Sequence, residues 1–216
     1  MEKNQLLKEG VAGSAIEVTG NTVNDVLKHH YVEEKPNPRN LVLLSLHRRA
    51  NQGARLHQLL EQVAQITKAY PNLKFTWLMH PTPKVRAAVS KYTDCLQLLP
   101  NLPYPEVVKL YSQCRLVITD SGGIMEETAF LGIPRIIIRT HNERIGLLQA
   151  KDTFVYHPRH GNLSRIFDQA LRTEGAKSKV YGEGDASIKI VDALIGRNVL
   201  QVPDRVASKE TVKLVS

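Results

Sequence analysis

The sequence predicts an α/β fold: a parallel sheet with helices on both faces. Two observations carry this. Short continuous apolar runs alternate with helical periods from Leu41 onward, as strands buried on both faces of a parallel sheet require. Polar segments recur directly after those runs, where the crossovers of such a sheet begin.

The elements follow in order. LVLLSL (41–46) is the first strand of the main body, and ARLHQLLEQVAQITKAY is its helix, with Leu56, Leu59, Leu60, Val63 and Ile66 on one face. Pro71 and Asn72 stop that helix before the strand KFTWLM (74–79). A helix near 84–91 leads to the strand LQLL (96–99), and a helix near 105–113 to the strand RLVIT (115–119). A glycine turn and a further helix lead to RIIIR (135–139). TFVY (153–156) and helices near 162–172 and 185–196 close the cycle. The expected organisation is a leading segment and linker over 1–40, a main domain over 41–196 and a tail over 197–216. In the leading segment LLKEGV ends a helix, AIEVTG resembles a lone strand, and EEKPNPRN reads as a linker.

The 216 residues carry a net charge of +8, which points to an anionic partner such as a nucleotide or phosphate. The cations are scattered with no run of five, so no nucleic-acid tail is indicated. No stretch approaches the roughly 18 consecutive apolar residues of a membrane span. No signal-peptide pattern opens the sequence, and Cys95 and Cys114 read as free thiols. A cytoplasmic protein is expected. His141, His157 and His160 lack zinc-site spacing, so no metal is expected.

Four polar segments fall at strand C-terminal ends, the edge where such sheets bind ligands: HRRANQG (47–53), HPTP (80–83), DSGG (120–123) and RTHNER (139–144). In HRRANQG, His47 can give or take a proton near neutral pH, and Arg48 and Arg49 suit a diphosphate. A capping loop with solvated arginines fits that segment equally well. Ser121, Gly122 and Gly123 admit two readings: an anion cradle of helix-terminal amides, or an N-cap with permissive glycines. Glu126 and Glu127 are expected in the first helical turn, and only one of them can face a cleft. YGEGDAS (181–187) repeats the pattern, with Ser187 either facing the cleft or capping a helix.

VTGNTVNDVL, HRRANQG, MHPTPKVR, TDSGGIMEETAFLGIPRIIIR, NER and YGEGDASIKIVDAL stand in an order and spacing that resemble the non-hydrolysing UDP-N-acetylglucosamine 2-epimerases, over about residues 6–196. The resemblance implies one Rossmann-like half of a two-domain GT-B fold, the second domain with the last strand and linker of the first. It implies that Ser121, Gly122 and Gly123 hold the UDP diphosphate, that Glu127 bonds the ribose hydroxyls, and that His47 is an active-site residue. Arg48, His80 and Arg144 match cleft positions. The implied ligand is UDP or UDP-N-acetylglucosamine, with no cofactor. The implied reaction is elimination of UDP to a glycal, followed by re-addition with the proton returned to the other face of C2.

The family's acid/base carboxylates lie largely in the first domain, which this sequence does not contain. The family's H-R-R-E-N has Ala50 at its glutamate. Its T-E-R-P-E becomes NERIG, with Ile145 and Gly146, and its G-D-G becomes GEG, with Glu183. The expectation is therefore a nucleotide-sugar-binding half that is inactive alone. It would be completed by a separate N-terminal-domain chain, a full-length homologue or a homodimer. The alternative is a non-catalytic regulatory or protein-interaction module.

Overall fold

The structure, a computed structural model, describes residues 2–31, 39–78, 82–139, 145–158 and 161–196. Two helices, α1 (Glu2–Lys8) and α2 (Thr22–His30), precede the sheet. Then come β1 (Leu41–Ser45), α3 (Ala54–Ala69), β2 (Lys74–Leu78), α4 (Pro83–Val89), β3 (Gln97–Leu99) and α5 (Tyr104–Gln113). They are followed by β4 (Cys114–Thr119), α6 (Gly122–Leu131), β5 (Arg135–Ile138), α7 (Ile145–Leu148), β6 (Thr153–Tyr156), α8 (Leu163–Arg172) and α9 (Ala186–Gly196).

The six strands form one parallel sheet in the order β3-β2-β1-β4-β5-β6. Strand alternation divides the core into two layers. Val42 and Leu44, Leu116 and Ile118, and Ile136 and Ile138 face α3, α4 and α8. Leu41, Leu43 and Val117 face the other way, against α2, α5 and the end of α6. Ile137 meets Met125 and Ala129 of α6 and Leu147 of α7 on that same side. Burial on both faces is why these strands read as continuous apolar runs. The five apolar positions of α3 are all buried.

AIEVTG is not a strand. Gly13–Ala15 is a 3₁₀ turn, and residues 16–20 run on without joining the sheet among the described residues. A strand exists only by pairing, and apolar alternation alone does not supply a neighbour. The helix after it is well held: Asn21 caps α2 through Val23 N at 3.0 Å, and Leu27 is fully buried in the core.

Gly132 ends α6 in the left-handed region at φ 70°. A Cβ there would meet Lys177 N at 2.9 Å, so the residues beyond α8 seal the helix end closely. Among the described residues no helix is long and apolar enough to cross a membrane. Cys114 is buried and Cys95 half-buried, both as free thiols, and burial pushes the Cys114 thiol well up.

Candidate functional site

The strand order reverses at β1. The chain passes from β1 outward to β2 and β3, then returns to place β4 on the other side. The helices that follow, α3 after β1 and α6 after β4, pack on opposite faces of the sheet, and the point where they part is where an open parallel sheet forms its ligand crevice.

Asp120 ties the loops of this edge together. It follows β4 and is 0% exposed. Its carboxylate accepts from His47 N at 3.0 Å, Arg48 N at 2.9 Å and Asn51 Nδ2 at 2.8 Å. Asn51 also donates to Ile138 O at 3.1 Å, and Arg139 Nε donates to Asp120 O at 3.0 Å. Thr119 Oγ1 donates to Ser45 O at 2.9 Å and accepts from Ser121 N at 3.0 Å. The segments after β1, β4 and β5 are thus one hydrogen-bonded unit. The His47 ring stands at its lip, with Nε2 4.0 Å from Asp120 Oδ1 and the side chain 35% exposed. Asp120 and Asn51 were legible in sequence only as motif letters, because their partners lie on strands distant in the chain.

Ser121 occupies the N-cap position of α6, but its side chain makes no cap hydrogen bond. The first amides of the helix therefore keep their donors for an outside acceptor. Gly123 has no need of glycine within the fold: its φ is not positive, and a Cβ there would meet nothing within 4 Å. In the structure, then, the Ser121 side chain does not cap α6, and the start of the helix is left open.

Glu126 and Glu127 are in the second turn of α6, not the first, because the helix begins at Gly122. The helix dipole acts within the first turn, so it does not account for them. Both are buried and they diverge. Glu126 Oε2 accepts from Asn21 Nδ2 at 2.7 Å. Glu127 turns to α5, where Tyr104 Oη donates to Oε1 at 3.1 Å and Tyr111 Oη donates to Oε2. Burial raises the Glu127 carboxyl above its ordinary value, and the two phenols only partly offset this. Burial and the Glu127 charge hold both tyrosines well above the usual phenol range.

That shift fixes a sign. A carboxyl whose folded pKa is raised stabilises the fold below its unfolded pKa, and the contribution is lost as pH rises through the folded value. Glu127→Gln is therefore expected to raise stability at neutral pH by on the order of 1 kcal/mol. A glutamine can still bond both phenols, since a tyrosine hydroxyl also accepts. The gain should shrink as pH falls toward the ordinary glutamate range. Thermal melts from pH 4 to 8 check this, and a destabilised variant at neutral pH would contradict it.

His80 and Arg144 lie outside the described residues. Ser187 does not face the crevice: Ser187 N and Oγ, with Ala186 N, donate to Asp25, so this segment caps α9 from α2. Among the described residues no group of three or more His, Cys, Asp or Glu is placed to hold a metal.

A parallel sheet wound both ways from β1, with its polar loops gathered where the order reverses, defines a Rossmann-like α/β domain. The profile of the UDP-N-acetylglucosamine 2-epimerase family matches residues 1–195, and the chain belongs to that family. It is 30% identical to a putative UDP-N-acetylglucosamine 2-epimerase of Clostridium acetobutylicum, over 89% of this chain and 55% of that protein. To the UDP-N-acetylglucosamine 2-epimerase of Bacillus subtilis it is 28% identical, with the same coverage. The crystal structure of UDP-GlcNAc 2-epimerase from Neisseria meningitidis, bound to UDP-GlcNAc, superposes with a TM-score of 0.79 at 26% identity. That match covers 90% of this chain and 59% of that one. Sucrose-phosphate synthase from Thermosynechococcus elongatus shares the fold at 13% identity and a TM-score of 0.56, over 92% of this chain and 56% of that one. The chain thus spans a little over half the length of the curated relatives it matches.

Proposed function

We propose that this chain is the UDP-binding half of a UDP-N-acetylglucosamine 2-epimerase site, and that groups from outside the chain complete the chemistry at the sugar. The observation that carries the reading is the uncapped α6 N-terminus at Ser121–Gly123, set beside the His47–Arg48 loop that Asp120 holds. The diphosphate accepts from the amides of Gly122 and Gly123 and gains from the helix dipole, with Arg48 as counter-charge. Glu127 lies five residues along α6, about 7.5 Å by helical rise. At that distance it takes the ribose hydroxyls of the same nucleotide. His47 at the lip faces the departing diphosphate.

In the family's reaction the C2 proton leaves, the bond from C1 to the diphosphate oxygen breaks, and UDP departs from a glycal. UDP then re-adds at C1 as a proton returns to the opposite face of C2. The leaving-group side needs donors and positive charge, which this crevice supplies. The proton-transfer side needs an acid and a base on opposite faces of C2. At this edge the described carboxylates are engaged: Asp120 is fully buried under three donors, and Glu127 holds two phenols. Ala50, where the family pattern has glutamate, supplies none.

The completing groups would come from a separate N-terminal-domain chain, a full-length homologue or a second copy of this chain. The same shortage of carboxylates favours a second reading, a binding module that regulates without catalysing. Mixing with a chain carrying the first domain separates the two, since only the first reading expects turnover. Calorimetric titration of the parent chain with UDP is expected to give weak binding that Glu127→Ala abolishes, with no epimerisation by the chain alone. Absence of heat with the parent chain would sink the UDP reading. Robust turnover by the purified chain would overturn the incomplete-site reading.

A further inference from the structure

We propose that Tyr104 and Tyr111 are positioning residues that give Glu127 a preference for ribonucleotides over 2′-deoxyribonucleotides. The proposal rests on the UDP reading above and names what sets selectivity in that site. Tyr104 and Tyr111 are seven residues apart on α5, two helical turns, and so share one face. Both phenols point across to α6, and they take different oxygens of the same carboxylate: Tyr104 donates to Oε1 at 3.1 Å and Tyr111 to Oε2. Tyr111 is fully buried, so the core fixes its hydroxyl.

A carboxylate has about four acceptor positions, two on each oxygen. One on each is already filled. The pair of phenols therefore locks rotation of the carboxylate and leaves one acceptor direction on either oxygen. A vicinal cis-diol presents two O–H donors side by side, one for each oxygen. A 2′-deoxyribose presents only one of them and leaves the second acceptor unmet in a site nearly closed to water. A carboxylate held by a single phenol is free to turn, and it then has no fixed pair of acceptors to match the diol.

The test is calorimetric titration of the parent chain, Tyr111→Phe and Tyr104→Phe with UDP and with 2′-deoxy-UDP, alongside circular dichroism melts. The parent is expected to prefer UDP by about tenfold or more, the scale of one hydrogen bond to a charged group. Tyr111→Phe should cut that preference to roughly twofold and leave 2′-deoxy-UDP affinity nearly unchanged, since a lone donor still finds an acceptor. Tyr104→Phe, at a half-buried position, should move the ratio the same way, and it decides the matter if Tyr111→Phe fails to fold. A merely structural role predicts both ligands weakened together and an unchanged ratio, and that result would overturn the proposal. A parent that binds both ligands equally overturns it while leaving the UDP site intact. A parent that binds neither overturns the UDP reading itself.

Discussion

Asp120→Ala is expected to lower the melting temperature by roughly 6–12 °C and to abolish UDP binding. The carboxylate is fully buried and accepts from His47 N, Arg48 N and Asn51 Nδ2. Deleting it orphans three donors at once. Each unsatisfied buried donor costs about 1–3 kcal/mol, and the loop relieves part of this by opening to water, so a net loss of about 3 kcal/mol is expected. That relief is what ends binding, because the amides of His47 and Arg48 are the groups that Asp120 holds at this edge. Asp120→Asn should behave similarly, since its amide turns a donor toward Arg48 N and Asn51. Differential scanning fluorimetry with and without UDP reads both effects. A shift under about 1 °C would mean that Asp120 does not hold the loop.

Asp152→Ala is expected to destabilise the fold by about 3–5 kcal/mol while leaving the UDP site intact in the protein that remains folded. The Arg135 guanidinium is fully buried, with Nη2 at 2.7 Å from Asp152 Oδ2 and Nε donating to Ile133 O at 3.0 Å. The same Asp152 oxygen accepts from Ala176 N at 3.0 Å, so the pair also anchors the segment that seals α6. Removing the carboxylate strands a charge in the core. Replacing both partners by apolar residues removes the charge as well, so Arg135→Met with Asp152→Leu should recover most of the loss. Arg135 opens β5, at the end of the sheet away from the crevice, which is why binding should survive. Urea midpoints for the single and double variants check this. A double variant as unstable as the single one would contradict it.

The contrast between these two carboxylates shows what a sequence displays. Strands and helices were legible because their signals are local: β1 opens on the apolar run 41–44, β4 carries the apolar run 116–118, and α3 repeats leucine at helical spacing. The glycine turn was legible because an uncapped helix start after a strand needs no distant residue to form. Which way Glu126 and Glu127 point was not, since Asn21 is 105 positions from one and Tyr104 is 23 from the other. Asp120 reads as one letter of a motif until the fold brings Arg48 N to it across 72 positions. Ser187 finds Asp25 across 162. AIEVTG failed the opposite way: its alternation is real, but among the described residues no strand pairs with it.

The most direct test of the central claim is the position of UDP on the chain. In ¹⁵N-resolved NMR spectra recorded during a UDP titration, the largest amide shifts are expected at Gly122, Gly123 and Ile124, followed by His47 and Arg48. When UDP is competed away by excess pyrophosphate, the shifts at the α6 N-terminus should persist, because pyrophosphate takes the same amides, while those beside the ribose at Glu127 and Tyr104 should reverse. Shifts confined to other surfaces, such as the groove lined by Lys28, Tyr31 and Lys179 at the far end of α6, would contradict the account.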